Sequence, residues 1–190
     1  MCGGCALPPP DERRPERRQE TVVPTRSTPL RPEPCGQTWK RGLLVIDDDP
    51  AVCRTVCTIA DRTGWAAVTA ARFADAETLL GTENFDCIIA DLTVDGAPVA
   101  GFLRTLAELC YTAPVLLIGA GNRAHRFAAA DFAWGLGLNT CYPIGKPLVA
   151  AGLSGRLARI GGRLQDGIVG CCFADCHWRK AIDAPDAISA

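Results

Sequence analysis

Leu43-Leu44-Val45-Ile46-Asp47-Asp48-Asp49-Pro50 is the stretch that decides the fold. Four consecutive apolar residues suit a strand buried on both faces, and the acids that follow mark where the chain leaves a sheet. Asp49 is placed to cap a helix that Pro50 opens, because proline's fixed φ and missing N–H cost nothing at a first helical position. Val52, Val56, Ile59 and Ala60 then share one helical face, and Gly64 stops the unit. A buried strand running straight into an amphipathic helix is the unit of a parallel sheet, whose neighbouring strands are joined only through crossovers.

Working outward, the same unit recurs. Trp65 to Ala70 reads as a second strand, followed by a short helix around Ala76, Leu79 and Leu80 that Gly81 ends. A third strand, Phe85 to Ala90, ends at Asp91 and leads to a helix carrying Phe102, Leu103, Leu106 and Leu109. A fourth, Pro114 to Ile118, precedes a helix from about Asn122 to Trp134. A fifth, Leu138 to Ile144, passes through Lys146-Pro147 into a last helix with Val149, Leu153, Leu157 and Ile160. The pattern predicts an α/β domain over residues 41–160, a doubly wound five-stranded parallel sheet of (βα)5 type.

The flanks differ in composition. Residues 1–40 hold eight of the 14 prolines and a mixed Arg/Glu block from Asp11 to Glu20, with almost no large apolar residue before Trp39. Such a segment has too little apolar surface to offset ordering entropy, and it is expected to be a disordered tail. Residues 161–190 are Gly-rich, then place Cys171, Cys172, Cys176 and His177 close together, and are expected to be a tail without a domain of its own.

With 190 residues, 48% hydrophobic and 22% charged, the chain belongs to the globular class, and a formal charge of −1 gives no electrostatic footprint for DNA. There is no run of 18 apolar residues and no secretory pattern at the start, so a cytoplasmic location without membrane attachment is expected. The 11 cysteines are an odd number, several of them within apolar patterns, which suits reduced thiols used as small hydrophobes.

In a doubly wound sheet, ligands gather beyond the carboxyl ends of the strands. The first strand ends in Asp47, Asp48 and Asp49, the third in Asp91, and Lys146 follows the fifth. Clustered carboxylates repel unless a cation joins them, and hard oxygen ligands suit Mg²⁺. An acidic cluster with one lysine is a candidate for metal-assisted phosphoryl chemistry.

The string Leu44-Val45-Ile46-Asp47-Asp48-Asp49-Pro50, the aspartate closing Ile88-Ile89-Ala90-Asp91-Leu92, and Gly145-Lys146-Pro147-Leu148 together resemble the receiver domain of two-component response regulators. The resemblance covers roughly residues 42–160 and implies the flavodoxin-like receiver fold. It implies phosphorelay signalling by a stand-alone receiver, with Asp91 as phosphoacceptor and a sensor histidine kinase or phosphotransferase as partner. Asp47, Asp48, Asp91 and the backbone carbonyl of Thr93 would hold Mg²⁺, with Lys146 assisting. Turnover catalysis is not implied, only self-phosphorylation and slow autodephosphorylation. A homodimer through the last helices and the fifth strand would use the family's usual contact face.

The chain departs from the receiver pattern at several points. The fourth strand is followed by Gly119, where receivers carry a Thr or Ser whose hydroxyl bonds the phosphoryl group. The aromatic expected three residues before the lysine falls on Pro143, while Tyr142 lies one position earlier, where a strand would point it to the other face. Asp95, in Asp91-Leu92-Thr93-Val94-Asp95-Gly96, adds a negative charge near the site. These departures motivate an alternative, a degenerate receiver acting as a phosphorylation-independent interaction module. Weaker motifs are the dinucleotide-like Gly119-Ala120-Gly121-Asn122-Arg123-Ala124, the Cys2–Cys5 dithiol spacing, and a zinc reading of the C-terminal Cys/His cluster. Cys53 and Cys57 are expected to be packing residues, and His125 to be exposed.

Overall fold

A computed structural model describes residues 40–168. Tail residues 1–39, with Cys2 and Cys5, and the segment from 169, with Cys171, Cys172, Cys176 and His177, lie outside the described residues. The chain runs through β1 (Arg41–Ile46), α1 (Pro50–Arg62), β2 (Trp65–Ala70), α2 (Phe73–Thr82) and β3 (Cys87–Asp91). A small hairpin of β4 (Thr93–Val94) and β5 (Ala97–Pro98) follows, then α3 (Ala100–Glu108), β6 (Val115–Gly119), α4 (Arg123–Gly135), β7 (Ile144–Gly145) and α5 (Ala150–Gln165). The main sheet is parallel throughout, in the order β2-β1-β3-β6-β7. With the hairpin left out this is the 2-1-3-4-5 doubly wound order, whose ligand crevice lies at the ends of β1 and β3, where the order reverses.

Alternation along the central strands sorts the core into two layers. Leu44 and Ile46, Ile88 and Ala90, and Val115 and Leu117 pack with Phe102, Leu103 and Leu106 of α3 and with Ala130 and Ala133 of α4. Leu43 and Val45, Cys87 and Ile89, and Leu116 and Ile118 pack with Val56 and Ile59 of α1 and with Leu153 and Leu157 of α5. Each fully buried Leu or Ile contributes about 1.5–3 kcal/mol of transfer free energy, so β1, β3 and β6 are the rigid floor beneath the crevice. Helix α1 begins as its sequence dictates: Asp49 Oδ1 accepts from the Ala51 N–H at 2.8 Å and Pro50 is the first helical residue.

Four expectations are corrected. The fifth strand is not Leu138–Ile144: only Ile144 and Gly145 pair with β6, preceded by an isolated bridge at Thr140. Pro143 has no N–H to give a ladder, and the Cys141 N–H and Thr140 hydroxyl both donate to the same Val115 carbonyl. Gly81 does not end α2, which runs to Thr82 and stops where Glu83 becomes extended. The third strand starts at Cys87, Phe85 being buried ahead of it. The last helix does not stop at Ile160 but crosses Gly161 and Gly162 to Gln165, so residues 161–165 of the expected tail are helical.

Among the described residues, Cys87 and Cys141 are buried, Cys53 is half-buried against the α1 side of the core, and Cys57 is half-buried. No helix among the described residues is long and apolar enough to cross a membrane.

Trp65 anchors the edge strand: it is buried, and its indole N–H donates to the Leu157 carbonyl of α5 at 3.3 Å. Replacing Trp65 with Ala is expected to lower unfolding free energy by about 3–5 kcal/mol, read from the midpoint of a urea titration.

Candidate functional site

The crevice at the ends of β1 and β3 brings together the residues that the sequence singled out. One carboxylate oxygen from each of Asp47, Asp48 and Asp91 falls within a span of 4.8 Å. Asp47 and Asp91 are buried, while Asp48 is exposed at the mouth. Lys146 reaches in from the loop after β7 and bridges the two buried acids, with Nζ 2.7 Å from Asp47 Oδ2 and 2.6 Å from Asp91 Oδ2. Its own N–H donates to the Gly119 carbonyl at 2.9 Å, which fixes the lysine's base to the end of β6, and the Lys146–Pro147 peptide is cis.

Backbone donors hold the remaining carboxylate oxygens. The Asp49 N–H donates to Asp47 Oδ1 at 2.9 Å and the Leu92 N–H to Asp91 Oδ1 at 2.7 Å. Asp48 Oδ2 accepts from the Asp95 N–H at 2.9 Å. Among the cluster's carboxylate oxygens, Asp47 Oδ2 is buried without a well-directed hydrogen bond, although the lysine ammonium lies beside it. A buried carboxylate oxygen lacking a directed donor, next to two further carboxylates, fits a hard divalent cation bound by oxygens. Thr93 stands on β4, two residues past Asp91, with its side chain exposed.

Electrostatics at this site follows from burial. Burial pushes the Asp47 carboxyl above its ordinary value; the Lys146 ammonium and the Asp49 N–H pull the other way, and the Asp91 charge adds to the rise. Burial works against the Lys146 ammonium, but Asp47 and Asp91 outweigh it and raise its pKa.

The departures from the receiver pattern have physical explanations. Asp95 and Gly96 form the two-residue turn of the β4–β5 hairpin, with φ of 50° and 75°, both positive as a type I′ turn requires. Asp95 therefore meets the site through its backbone N–H; its side chain is exposed, and its charge acts on Arg72. Tyr142 is not on a strand, so the alternation expected there does not apply. It leans on the first turn of α4, its ring 4.3 Å from that of Phe127 and its hydroxyl accepting from Arg123 at 2.8 Å. His125 is exposed on α4, as expected.

Two contacts were not anticipated from the sequence. The Cys53 thiol donates to the Asp47 carbonyl at 3.3 Å, and the Leu92 side chain covers Gly119 so closely that an added Cβ would meet its Cγ and Cδ1 at 2.7 Å. The dinucleotide-like glycine at 119 is thus already covered by protein, where a cofactor phosphate would need open backbone.

No family model matches the chain, and no curated protein matches it. Among solved structures it is similar to a chemotaxis response regulator of Vibrio cholerae, with 18% identity and a TM-score of 0.55 over 64% of this chain and 99% of that one. A response regulator from Chloroflexus aurantiacus gives 23% identity and 0.56 over 66% and 100%. One from Burkholderia pseudomallei, solved with a phosphorylated aspartic acid, a calcium ion and citrate, gives 20% and 0.57 over 77% and 76%. The fold is that of response-regulator receiver domains.

A carboxyl whose folded pKa is raised contributes stability that is complete below its unfolded value and is lost as pH rises through the folded one. At pH 7 without metal, Asp47→Asn is therefore expected to raise the melting temperature, and the gain should shrink as pH falls toward the ordinary aspartate value of 3.8. Melting curves of parent and variant across that range check it; a variant no more stable than the parent at pH 7 contradicts it.

Proposed function

We propose that the chain accepts a phosphoryl group on Asp91 from a sensor histidine kinase or phosphotransferase and signals by the resulting change in its contacts. The observation that carries this reading is the approach of Lys146 Nζ to Asp47 and Asp91 at once, at the switch point of a receiver fold. A capping role explains Asp49 but gives no reason to bury two carboxylates around one ammonium.

In the proposed step a carboxylate oxygen of Asp91 supplies the electron pair for a new O–P bond. The donor's P–N bond breaks, and the departing imidazole keeps that electron pair and takes a proton from solvent. Lys146 neutralises charge on the transferred group, and the Leu92 N–H holds the other Asp91 oxygen so that the nucleophile keeps its direction. Asp47, Asp48, Asp91 and the Thr93 carbonyl are the proposed Mg²⁺ ligands. Bound there, Mg²⁺ would offset the carboxylate charge and polarise the phosphoryl oxygens. The domain proper is taken as residues 41 to about 165 with a tail on each side, and the protein as cytoplasmic. The face of α4, β7 and α5, which exposes Trp134 and Val149, is the proposed contact surface for the partner or a second copy.

Gly119 in place of a hydroxyl favours one second reading, a receiver that no longer takes phosphate and serves as an interaction module. Intact-mass measurement after incubation with acetyl phosphate separates the two. The expected outcome is a gain of about 80 Da, one phosphoryl group, that requires Mg²⁺ and is abolished by Asp91→Asn. A parent that gains nothing from acetyl phosphate or from a histidine-kinase donor supports the interaction module instead.

A further inference from the structure

We infer that Leu92 is the moving, positioning residue of this site. Its side chain fills the space over Gly119 and turns into the groove beneath α4 when Asp91 carries a phosphoryl group. This rests on Asp91 being the acceptor, and three observations carry it further.

Gly119 is buried at the end of β6 and does not have a positive φ, so backbone conformation does not call for glycine there. What calls for it is Leu92, whose Cγ and Cδ1 would lie 2.7 Å, and Cβ 3.2 Å, from any Cβ at position 119. The two residues are complementary in shape: one has no side chain because the other occupies its place.

Leu92 is also tied to the acceptor. Its N–H donates to Asp91 Oδ1 at 2.7 Å and is 2.9 Å from the Ile118 carbonyl. Phosphorylation brings three charged oxygens to this corner, where the Gly119 wall is covered by the apolar Cβ, Cγ and Cδ1 of Leu92 and offers no side-chain donor. Desolvating an anionic oxygen against methyl groups is unfavourable, so the side chain is driven off the wall.

The side chain has somewhere to go. A groove of about 190 Å³ lies beyond it, lined by Leu92 itself, Val99 and Leu103 on one side and by His125, Ala129 and Phe132 of α4 on the other. Leu92 entering this groove presses on α4 and carries the state of Asp91 to a surface that exposes His125. A device that attracts a hydroxyl toward phosphate is replaced by one that expels a methyl group from it.

The test is amide hydrogen exchange over residues 123–135 of the full chain, before and after acetyl phosphate with Mg²⁺, with intact mass read in parallel. In the parent, exchange in α4 is expected to change by about threefold or more on phosphorylation. Leu92→Ala should gain the phosphoryl mass with α4 exchange unchanged. Gly119→Ala, whose methyl would meet Leu92 Cγ and Cδ1 and force the side chain aside, should show the altered α4 exchange before any phosphodonor is added. Ala129→Leu fills the groove without touching Asp91 and should slow adduct formation about tenfold; it decides the matter if Leu92→Ala fails to fold. An adduct in the parent with unchanged α4 exchange overturns the inference alone, as does a Leu92→Ala protein that responds like the parent, or an Ala129→Leu protein labelled at the parent's rate. A parent that gains no adduct from acetyl phosphate and none from a histidine-kinase donor overturns it together with the role of Asp91.

Discussion

One ammonium between two buried carboxylates is the interaction on which the rest of the site depends. Lys146 meets Asp47 and Asp91 at 2.7 and 2.6 Å, and it can do so only because β1 and β3 are neighbours and β7 lies across β6 from them. Taking these charges out of water costs several kcal/mol per ion, a cost that mutual attraction only partly repays. The core on both faces of the sheet outweighs that cost: Leu43 to Ile46, Ile88 to Ala90 and Val115 to Ile118 are fully buried and hold the three strand ends rigid. The crevice is therefore a locally unfavourable arrangement imposed by a favourable floor, which is how chemically active sites generally persist.

The same ammonium bears on any cation that joins the cluster. In its bridge Lys146 stands against one oxygen of each buried acid, while Asp48 stays exposed and bonded only through the Asp95 N–H. A divalent ion joining the cluster must share Asp47 and Asp91 with the lysine, and it gains Asp48 as a ligand the lysine does not reach in this arrangement. In the proposed phosphoryl transfer, lysine and metal would act as partly competing counterions, and the balance between them would set how much negative charge the phosphoryl group encounters.

Much of this was legible in the sequence, for identifiable reasons. Leu43 to Pro50 is a continuous apolar run, an acid cluster, a cap and a helix-opening proline in eight residues, so local chemistry alone specifies strand, site and helix start. Asp91 was legible by the same logic of an acid closing an apolar run. The fifth strand was not, because apolar composition between Leu138 and Ile144 records burial rather than pairing, and Pro143 breaks the ladder. Gly81 read as a stop because glycine weakens a helix, but Leu79 and Leu80 pack on the core and carry α2 one residue past it. The Asp95-Gly96 hairpin carries its own local signal, the Asp-Gly pair that suits a two-residue turn with both φ values positive.

The glycine at 119 shows why one residue type cannot be interpreted from sequence spacing alone. Glycine means that something approaches the backbone closely or that φ is positive. In Gly119-Ala120-Gly121-Asn122-Arg123-Ala124 the two glycines have different causes: Gly121 has a φ of 90°, in the left-handed region, while Gly119 makes room for a neighbour. A dinucleotide fingerprint places a ligand over Gly119. The structure puts Leu92 there, a residue 27 positions earlier, whose only sequence signature is that it follows Asp91. Local pattern reports which side chain is missing; only the tertiary fold reports what has taken its place. Here the occupant is covalently next to Asp91, so under the proposed role of Asp91 the coupling to α4 runs by exclusion, where a hydroxyl at 119 would act by attraction.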